Sequence, residues 1–206
     1  MDESTSPFQY FVSTYKPQIN AELNAILAAQ QTEVGPDSLA YHDLLDELST
    51  FISRGGKRLR PLLCLLAHQG YGGSHPEVAL KLAASQELLH TYLLIHDDII
   101  DRDLRRWGGP NLEAVYREHF SGQGLEPAAV EQAAQSWALL AGDICAALSL
   151  NTVAVSGLTG PRLQRSLILL QQTILRVLSG ELDDVAAGLL LSSKQHHIQD
   201  QEHIMD

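Results

Sequence analysis

One stretch of this chain restricts the possible fold more than any other, because it is apolar on nearly every side of a helix. Ser74-His75-Pro76-Glu77 has the pattern of a capping box, with Ser74 at the N-cap and Glu77 three residues later. The predicted helix continues to Leu104, about 28 residues or ~42 Å at 1.5 Å per residue. A helix that is apolar nearly all round is buried at the centre of a bundle. Polar side chains on it therefore require a specific role.

Helical periodicity is the only regular pattern in the rest of the chain, and no strand-like alternation bounded by turn residues accompanies it. We therefore predict an all-α fold, a bundle of long helices that forms one domain over 1–206. We expect this bundle to be incomplete at its C-terminal end. The further predicted helices are 8–31 with a possible break at Pro17, 36–52, 60–70, 112–120, 127–155, 161–191 and a last one from 195.

The charge balance limits the partners of the protein. Lys and Arg number 14 against 25 Asp and Glu, which gives a formal net charge of −11. Such a chain suits neither nucleic acid nor an anionic membrane surface. No apolar run approaches the ~20 residues of a transmembrane helix, and no signal peptide opens the chain, so we expect a cytoplasmic protein. A polyanionic substrate would need local cations or metal ions.

Aspartates near the end of the central helix have a spacing that suits a divalent cation. The run 96–101 reads HDDIID. Asp97 and Asp101 are four residues apart, so their carboxylates lie on one face, one turn apart. Magnesium would relieve their mutual repulsion, because it binds one or two carboxylates together with water and phosphate oxygens. For this motif alone, a solvated acidic helix end is the alternative.

Basic residues flank the aspartates along the same helix. His90 lies seven residues before Asp97, about two turns or ~10 Å along the axis. Arg105 and Arg106 follow about one turn after Asp101. A face that carries His, then two carboxylates, then Arg suits two separate phosphorylated groups. A buried core histidine is the alternative interpretation of His90.

A glycine-rich segment earlier in the chain carries three cations. Residues 55–61 read GGKRLRP, with Lys57, Arg58 and Arg60 at a helix start. Gly56 lets the backbone approach an anion closely, and the helix N-terminus offers free N–H groups. The spacing differs from that of the GxxxxGK[ST] phosphate loop. Taken alone, a solvated basic turn is the alternative.

Together these segments resemble the trans-prenyl diphosphate synthases, the family of farnesyl and geranylgeranyl diphosphate synthases. The matching segments occur in the family's order across essentially the whole chain. They are GGKRLRP at 55–61, ELLHTYLLIHDDIID at 87–101, the Arg-GGPN segment at 106–111, Gly142-Asp143, and SGELDD at 179–184.

The resemblance implies a homodimer whose long helices surround a deep cavity. It also implies a prenyltransferase that condenses isopentenyl diphosphate with an allylic prenyl diphosphate, head to tail, to give a longer trans-prenyl diphosphate. By position in the motifs, the diphosphate of isopentenyl diphosphate would be held by Gly56, Lys57, Arg60 and His90.

The resemblance also assigns the aspartate end of the helix to the allylic substrate. Asp97 and Asp101 would be catalytic ligands of magnesium, with Asp98 as a supporting member of the metal site. Two or three Mg²⁺ ions are expected with a bound diphosphate. Arg106, with Arg105 beside it, would contact the allylic diphosphate.

Three departures from the family pattern are visible. Trp107 stands where the family has a second Arg, and Glu181 stands where it has a Gln. The family's second aspartate motif does not occur before the chain ends at Asp206. We therefore expect that the 206-residue form alone is inactive or nearly so, although the parent enzyme is active.

Product length and two other functions complete the sequence-based hypotheses. In the family, a bulky residue just before the first aspartate closes the cavity below the growing chain. Tyr92 and Leu93 occupy the positions five and four before Asp97, a pattern that resembles the geranylgeranyl type more than the farnesyl type. The alternatives are a non-catalytic small or regulatory subunit of a prenyl synthase and a class I terpene cyclase, which has no use for the basic loop.

Overall fold

The computed structural model describes residues 6–203, which form seven helices and one short hairpin. The chain divides into two compact units at Leu158 and Thr159, and the prediction of one domain over 1–206 stays a prediction. The first unit contains α1 (Pro7–Val34), α2 (Leu39–Arg54), α3 (Leu59–Gly70), α4 (Pro76–Asp101), β1 (Arg105–Arg106), β2 (Gly109–Pro110), α5 (Leu112–Ser121) and α6 (Pro127–Ala154). The second contains α7 (Gly160–His203).

The helix α4 lies at the centre of the first unit, in contact with α1, α3 and α6. Its buried residues point in several directions round the helix, as the apolar sequence predicts. They include Ala83, Ala84, Leu88, Leu89 and Ile95. The few polar groups on α4 are therefore held in fixed positions by a packed surrounding.

The N-terminus of α4 differs from the predicted capping box. Pro76 occupies the first helical position, so the N-cap is His75 rather than Ser74, and no side chain caps the helix. Glu77 then falls one position too early to complete a box, and it pairs instead with the Nδ1 atom of His75 at 3.3 Å. The prediction is wrong because proline, with its fixed φ and missing N–H, selects the first position.

The C-terminus of α4 also differs, because the helix ends at Asp101 and not at Leu104. Arg102 has a left-handed backbone, with φ 59°. The next amide, that of Asp103, donates to the carbonyl of Asp98 at 2.9 Å. This ending satisfies the final carbonyls of the helix and turns the chain sharply after the aspartates.

A two-residue hairpin follows this turn, where the sequence predicted no strand. Arg105 pairs with Pro110, and Arg106 pairs with Gly109. The loop residues Trp107 and Gly108 both have positive φ, 51° and 79°, as a type I′ turn requires. Strands of two residues are too short to show an alternating pattern, which explains the missed prediction.

Small residues allow α4 and α6 to approach each other closely. The Ser85 hydroxyl donates to the Ser149 carbonyl at 3.0 Å, and the Ser149 hydroxyl donates to the Ser85 carbonyl at 2.9 Å. Further along, Gly142 leaves room for His96, since a Cβ there would lie 2.3 Å from the imidazole. The glycine of the Gly142-Asp143 pair is thus explained by packing.

Two other predicted boundaries are wrong. The helix α1 continues through Pro17 without a break, because buried residues farther along it, such as Leu23, anchor the segment after the proline. The predicted helices 161–191 and from 195 are one helix, Gly160–His203. No Gly or Pro separates them in the sequence, and the predicted end at 204–206 lies outside the described residues.

Within the described range, α6 is the one helix with the length and hydropathy of a membrane span, with a mean hydropathy of 1.4. Core helices of soluble proteins have the same properties. Residues of α6 such as Ala138 and Cys145 are buried, and the helix packs on α4 and α5.

Candidate active site

The three aspartates at the end of α4 differ in their exposure. The Asp98 side chain is 3% exposed, whereas that of Asp97 is 38% exposed and Asp101 lies on the surface. Burial raises the pKa of Asp98, and the guanidinium of Arg106 opposes this increase. The predicted pair of accessible carboxylates, one turn apart, is therefore Asp97 and Asp101, with Asp98 held inside.

Arg106 on the hairpin returns to these aspartates. Its Nε donates to Oδ1 of Asp98 at 2.8 Å, and its Nη2 donates both to Oδ2 of Asp97 at 3.1 Å and to Oδ1 of Asp98. The left-handed turn after Asp101 and the hairpin explain this contact, because they fold the chain back on the helix end. The structure thus joins the predicted Arg106 to the predicted carboxylates.

The basic segment between α2 and α3 does not present all three of its cations. Arg58 is buried, with a left-handed backbone at φ 53°. Its guanidinium donates to Oε1 of Glu87 at 2.6 Å and to Oδ1 of Asn20 at 2.9 Å. It also donates to the carbonyl of Ile52. Arg58 therefore anchors the segment in the core, and the two cations that were assigned to the diphosphate, Lys57 and Arg60, remain outside.

The other two cations of this segment, Lys57 and Arg60, are exposed. Gly56, just before Lys57, has φ 72°, a conformation that favours glycine. Its carbonyl accepts a hydrogen bond from Nζ of Lys16 at 3.2 Å. The backbone here is fixed from two sides, so that Lys57 and Arg60 project from a rigid loop.

His90 on α4 connects the loop with the hairpin electrostatically. Burial lowers the pKa of His90, and the positive charges of Arg60 and Arg106 lower it further. The carboxylate of Glu87 acts in the opposite direction. A cation from the basic segment and a cation from the hairpin therefore both disfavour the charged form of this half-buried imidazole.

The donors at the end of α4 fit a magnesium ion. Asp97 and Asp101 supply the hard carboxylate oxygens that this ion prefers. One oxygen of the buried Asp98, Oδ2, has no hydrogen-bond partner. No group of three or more His, Cys, Asp or Glu side chains forms a closed cage in the described part of the chain. Magnesium commonly takes its remaining ligands from water and substrate phosphates.

Sequence reasoning missed the place of Trp107. The Trp107 ring packs on the buried Phe51 of α2, with centroids 4.9 Å apart. Neighbouring Arg105 is exposed and donates from Nη2 to the Gly108 carbonyl at 3.1 Å, across its own hairpin. The only sequence signal for Trp107 was its occurrence at a family arginine position, and its partner on α2 lies more than fifty residues away in the chain.

The predicted product-length residues lie one to two turns before the aspartates. Tyr92 is buried and packs edge-on against His96, with centroids 4.6 Å apart. His96 in turn lies 3.5 Å from Oδ1 of Asp143 on α6. Leu93 is half-buried. His96 and Asp143 are neighbours of Tyr92 that the sequence analysis did not assign, although Gly142-Asp143 was among the matched segments.

Comparison with family models identifies one match, the model described as polyprenyl synthetase, over residues 42–204. That range covers the basic loop, α4, the hairpin and α6. The chain belongs to the polyprenyl synthetase family. The resemblance stated from the motifs is thereby confirmed.

Curated members of the polyprenyl synthetase family are similar to this chain over much of its length. A geranylfarnesyl diphosphate synthase of Aeropyrum pernix is 36% identical over 138 residues, which are 65% of this chain and 38% of that protein. Geranylgeranyl pyrophosphate synthase 12, chloroplastic, of Arabidopsis thaliana is 32% identical over 186 residues, 86% of this chain and 46% of that protein. The chain thus spans less than half the length of these relatives.

Solved polyprenyl synthetase structures have the same fold. A geranylgeranyl pyrophosphate synthase from Corynebacterium glutamicum, complexed with isoprenyl diphosphate and magnesium, superposes with a TM-score of 0.71 at 29% identity. The superposition covers 84% of this chain and 48% of that one. The all-α prediction is confirmed. The roles of the individual site residues stay predictions. Glu181, the departure from the family Gln, lies on α7 in the second unit.

Proposed function

We propose that the protein is a magnesium-dependent trans-prenyltransferase that condenses isopentenyl diphosphate with an allylic prenyl diphosphate. The observation that carries this proposal is the contact of Arg106 on the hairpin with Asp97 and Asp98, at the end of the helix that also carries His90. Family membership supplies the reaction class. The intact basic loop favours a synthase over a terpene cyclase, which binds no isopentenyl diphosphate.

The geometry suggests a division of labour between two diphosphate sites. Lys57 and Arg60 on the rigid loop, with Gly56 and His90, would hold the diphosphate of isopentenyl diphosphate. Asp97 and Asp101, supported by Asp98, would hold magnesium, with Arg106 beside them and Arg105 at the rim. These roles rest on exposure and charge: the loop cations reach solvent, and Asp97 is accessible while Asp98 is buried.

Bound magnesium would neutralise the allylic diphosphate as its C–O bond breaks. The chain's own contribution is positional. Arg106, already bonded to Asp97 and Asp98, would turn towards the departing diphosphate without a large rearrangement. The loop would hold the isopentenyl group beside the allylic carbon, so that its double bond attacks the allylic cation. The tertiary cation that results would lose a proton to the departed diphosphate, which leaves as the second product. The apolar residues of α4 and α6 would exclude water from that reaction.

We further propose geranylgeranyl diphosphate as the product, a homodimer as the assembly and the cytoplasm as the location. The buried Tyr92 supports a closed cavity floor of the geranylgeranyl type. Because the 206-residue chain spans less than half the length of its relatives, we expect it to turn over poorly by itself.

A condensation assay tests the proposal. Radiolabelled isopentenyl diphosphate is incubated with farnesyl diphosphate and the whole protein, with magnesium or with a chelator. Label should enter a longer prenyl diphosphate only with the metal, and Asp97→Asn should lower the rate by about 100-fold or more. Asp103→Asn, the same change at an exposed residue beyond the helix, is the control. If no label entered a longer prenyl diphosphate with the whole protein and magnesium, the proposed reaction would be refuted.

A further inference from the structure

The side chain of Trp107 on the hairpin packs where α2 ends and the basic loop begins, against Phe51 and Gly55. We propose that Trp107 is a positioning residue that docks the hairpin on the basic loop and so fixes the distance between the two diphosphate sites. The inference rests on the proposed function for its consequence. The contact itself can be tested without any substrate.

The indole of Trp107 fills the space that a side chain at Gly55 would need. A Cβ placed on Gly55 would lie 2.5 Å from two carbons of the indole. Gly55 itself has φ −89° and ψ 144°, a conformation that any residue adopts. Glycine is therefore required at this position because of the Trp107 ring and not because of the backbone.

The backbone of Trp107 indicates that the ring contact holds the turn in place. Its φ of 51° is rare for a bulky residue. Such a conformation persists where surrounding contacts determine it. The fully buried Phe51, with its centroid 4.9 Å from that of Trp107, and the backbone of Gly55 supply these contacts.

A second contact, between the hairpin and the end of α2, has the reverse arrangement, because here the hairpin supplies the glycine. A Cβ on Gly109 of the hairpin would lie 2.8 Å from Nη1 of Arg54, at the end of α2. The Arg54 guanidinium also lies over the Phe51 ring, 5.6 Å from its centroid. Each partner thus has one glycine that receives a large side chain of the other. This reciprocity describes a specific docking surface rather than a chance contact.

The consequence for binding follows from what lies on either side of this contact. Arg106, next to Trp107, is bonded to Asp97 and Asp98, and Lys57 lies two residues after Gly55. A shift of the hairpin when Arg106 binds the allylic diphosphate should therefore be transmitted to the basic loop through the indole. Trp107 lacks the charge of the family arginine at this position. Its ring instead links the hairpin to the basic loop, so that binding of one substrate affects binding of the other.

Fluorescence quenching of Trp107 tests the contact. In Trp137→Phe protein, Trp107 is the single tryptophan, so acrylamide quenching reports its exposure directly. Gly55→Ala should raise the quenching constant of Trp107. Gly122→Ala is the matched control, since Gly122 has φ −75° and its nearest neighbour would be 3.9 Å from the new Cβ. Unchanged quenching in folded Gly55→Ala protein would overturn the proposal.

Ligand binding tests the consequence by calorimetry. Gly55→Ala should weaken isopentenyl diphosphate binding by at least about fivefold in the presence of Trp107, and by less than about twofold when Trp107→Ala is also present. Equal losses in both backgrounds would contradict the docking role.

If Gly55→Ala did not fold, Trp107→Ala alone should still lower the gain in isopentenyl diphosphate affinity that a non-ionisable thio-linked allylic diphosphate produces. An unchanged gain would also contradict it. A wild-type protein that binds no diphosphate would refute the proposed function, while the quenching result would still decide the contact.

Discussion

At the scale of single residues, the basic loop is held in place by Arg58, a cation that is buried and paired with Glu87 instead of facing solvent. Arg58 and Glu87 are only 1% and 4% exposed at their side chains, with 2.6 Å between Nη1 and Oε1. Removal of one partner leaves the other charge buried and unpaired. The resulting loss of stability is larger than the net stability that the intact pair contributes. The pair is therefore sensitive to single substitutions and less sensitive to a double one.

Glu87→Leu should lower the free energy of unfolding by about 3 kcal/mol, because it leaves the guanidinium of Arg58 unpaired in the core. Urea denaturation followed by circular dichroism measures this change. Arg58→Met with Glu87→Leu should cost less than the sum of the two single substitutions. Strict additivity would show that the two charges do not depend on each other.

His90 offers a second test at this scale. Its lowered pKa means that the folded protein binds fewer protons than the unfolded chain, whose histidines titrate near 6.5. The stability associated with His90 is therefore fully present above about pH 6.5 and is lost as the pH falls towards the lowered pKa. A bound diphosphate would reverse the shift, since its negative charge favours the imidazolium.

Isopentenyl diphosphate binding near pH 6.5 should therefore take up protons. Calorimetry in two buffers with different ionisation enthalpies measures the number of protons, and His90→Gln should reduce it. His42→Gln is the control, because His42 lies on α2 and bonds the Gly35 carbonyl away from the site. If His90→Gln left the proton uptake unchanged, His90 would not face the diphosphate.

At the scale of elements, the hairpin is the feature that sequence patterns could not predict. The spacing of Asp97 and Asp101 was enough to predict that their carboxylates lie on one face, since residues four apart on a helix are neighbours on its surface. The inward turn of Arg58 depends on Glu87, 29 residues away, and three adjacent cations in a sequence do not reveal which one is buried. Likewise, two-residue strands carry no periodicity, so the sequence placed Arg106 near the aspartates by spacing but did not predict the hairpin that returns it to them.

The hairpin turn gives a prediction of its own. Gly108 has φ 79° and open space around it, so the cost of a side chain there is conformational, about 1 kcal/mol for alanine. Gly108→Ala should weaken binding of a thio-linked allylic diphosphate several-fold, because it disfavours the turn that presents Arg106. Gly108→Asn should weaken it less, since asparagine tolerates this backbone region. Equal effects of both substitutions would argue against a role for the turn.

The contact between α4 and α6 gives a prediction about product length. Tyr92 packs on His96, which fits above Gly142 and near Asp143. If Tyr92 closes the cavity, Tyr92→Ala opens space along α4 and should lengthen the product by at least one isoprene unit. Radiolabelled products separated by reversed-phase chromatography measure this. Tyr92→Phe should keep the original product, and an unchanged product from Tyr92→Ala would remove the residue from that role.

At the scale of the whole molecule, periodicity and proline positions were sufficient for the helical bundle, but not for its exact boundaries. Proline at a first helical position displaced the cap of α4, and tertiary packing carried α1 through Pro17. Tertiary packing overrides a local helix-breaking residue when side chains before and after that residue are buried in the core. The net charge of −11 also gave no indication of where cations gather, because a binding site depends on local and not on total charge.

The central claim is that two separate sets of groups hold two diphosphates side by side at α4. Titration calorimetry with isopentenyl diphosphate, with and without a saturating thio-linked allylic diphosphate and magnesium, tests it most directly. We expect one isopentenyl diphosphate per chain in both cases, with a chelator removing the binding of the allylic analogue alone. Mutual exclusion of the two ligands, or loss of both with the chelator, would contradict it.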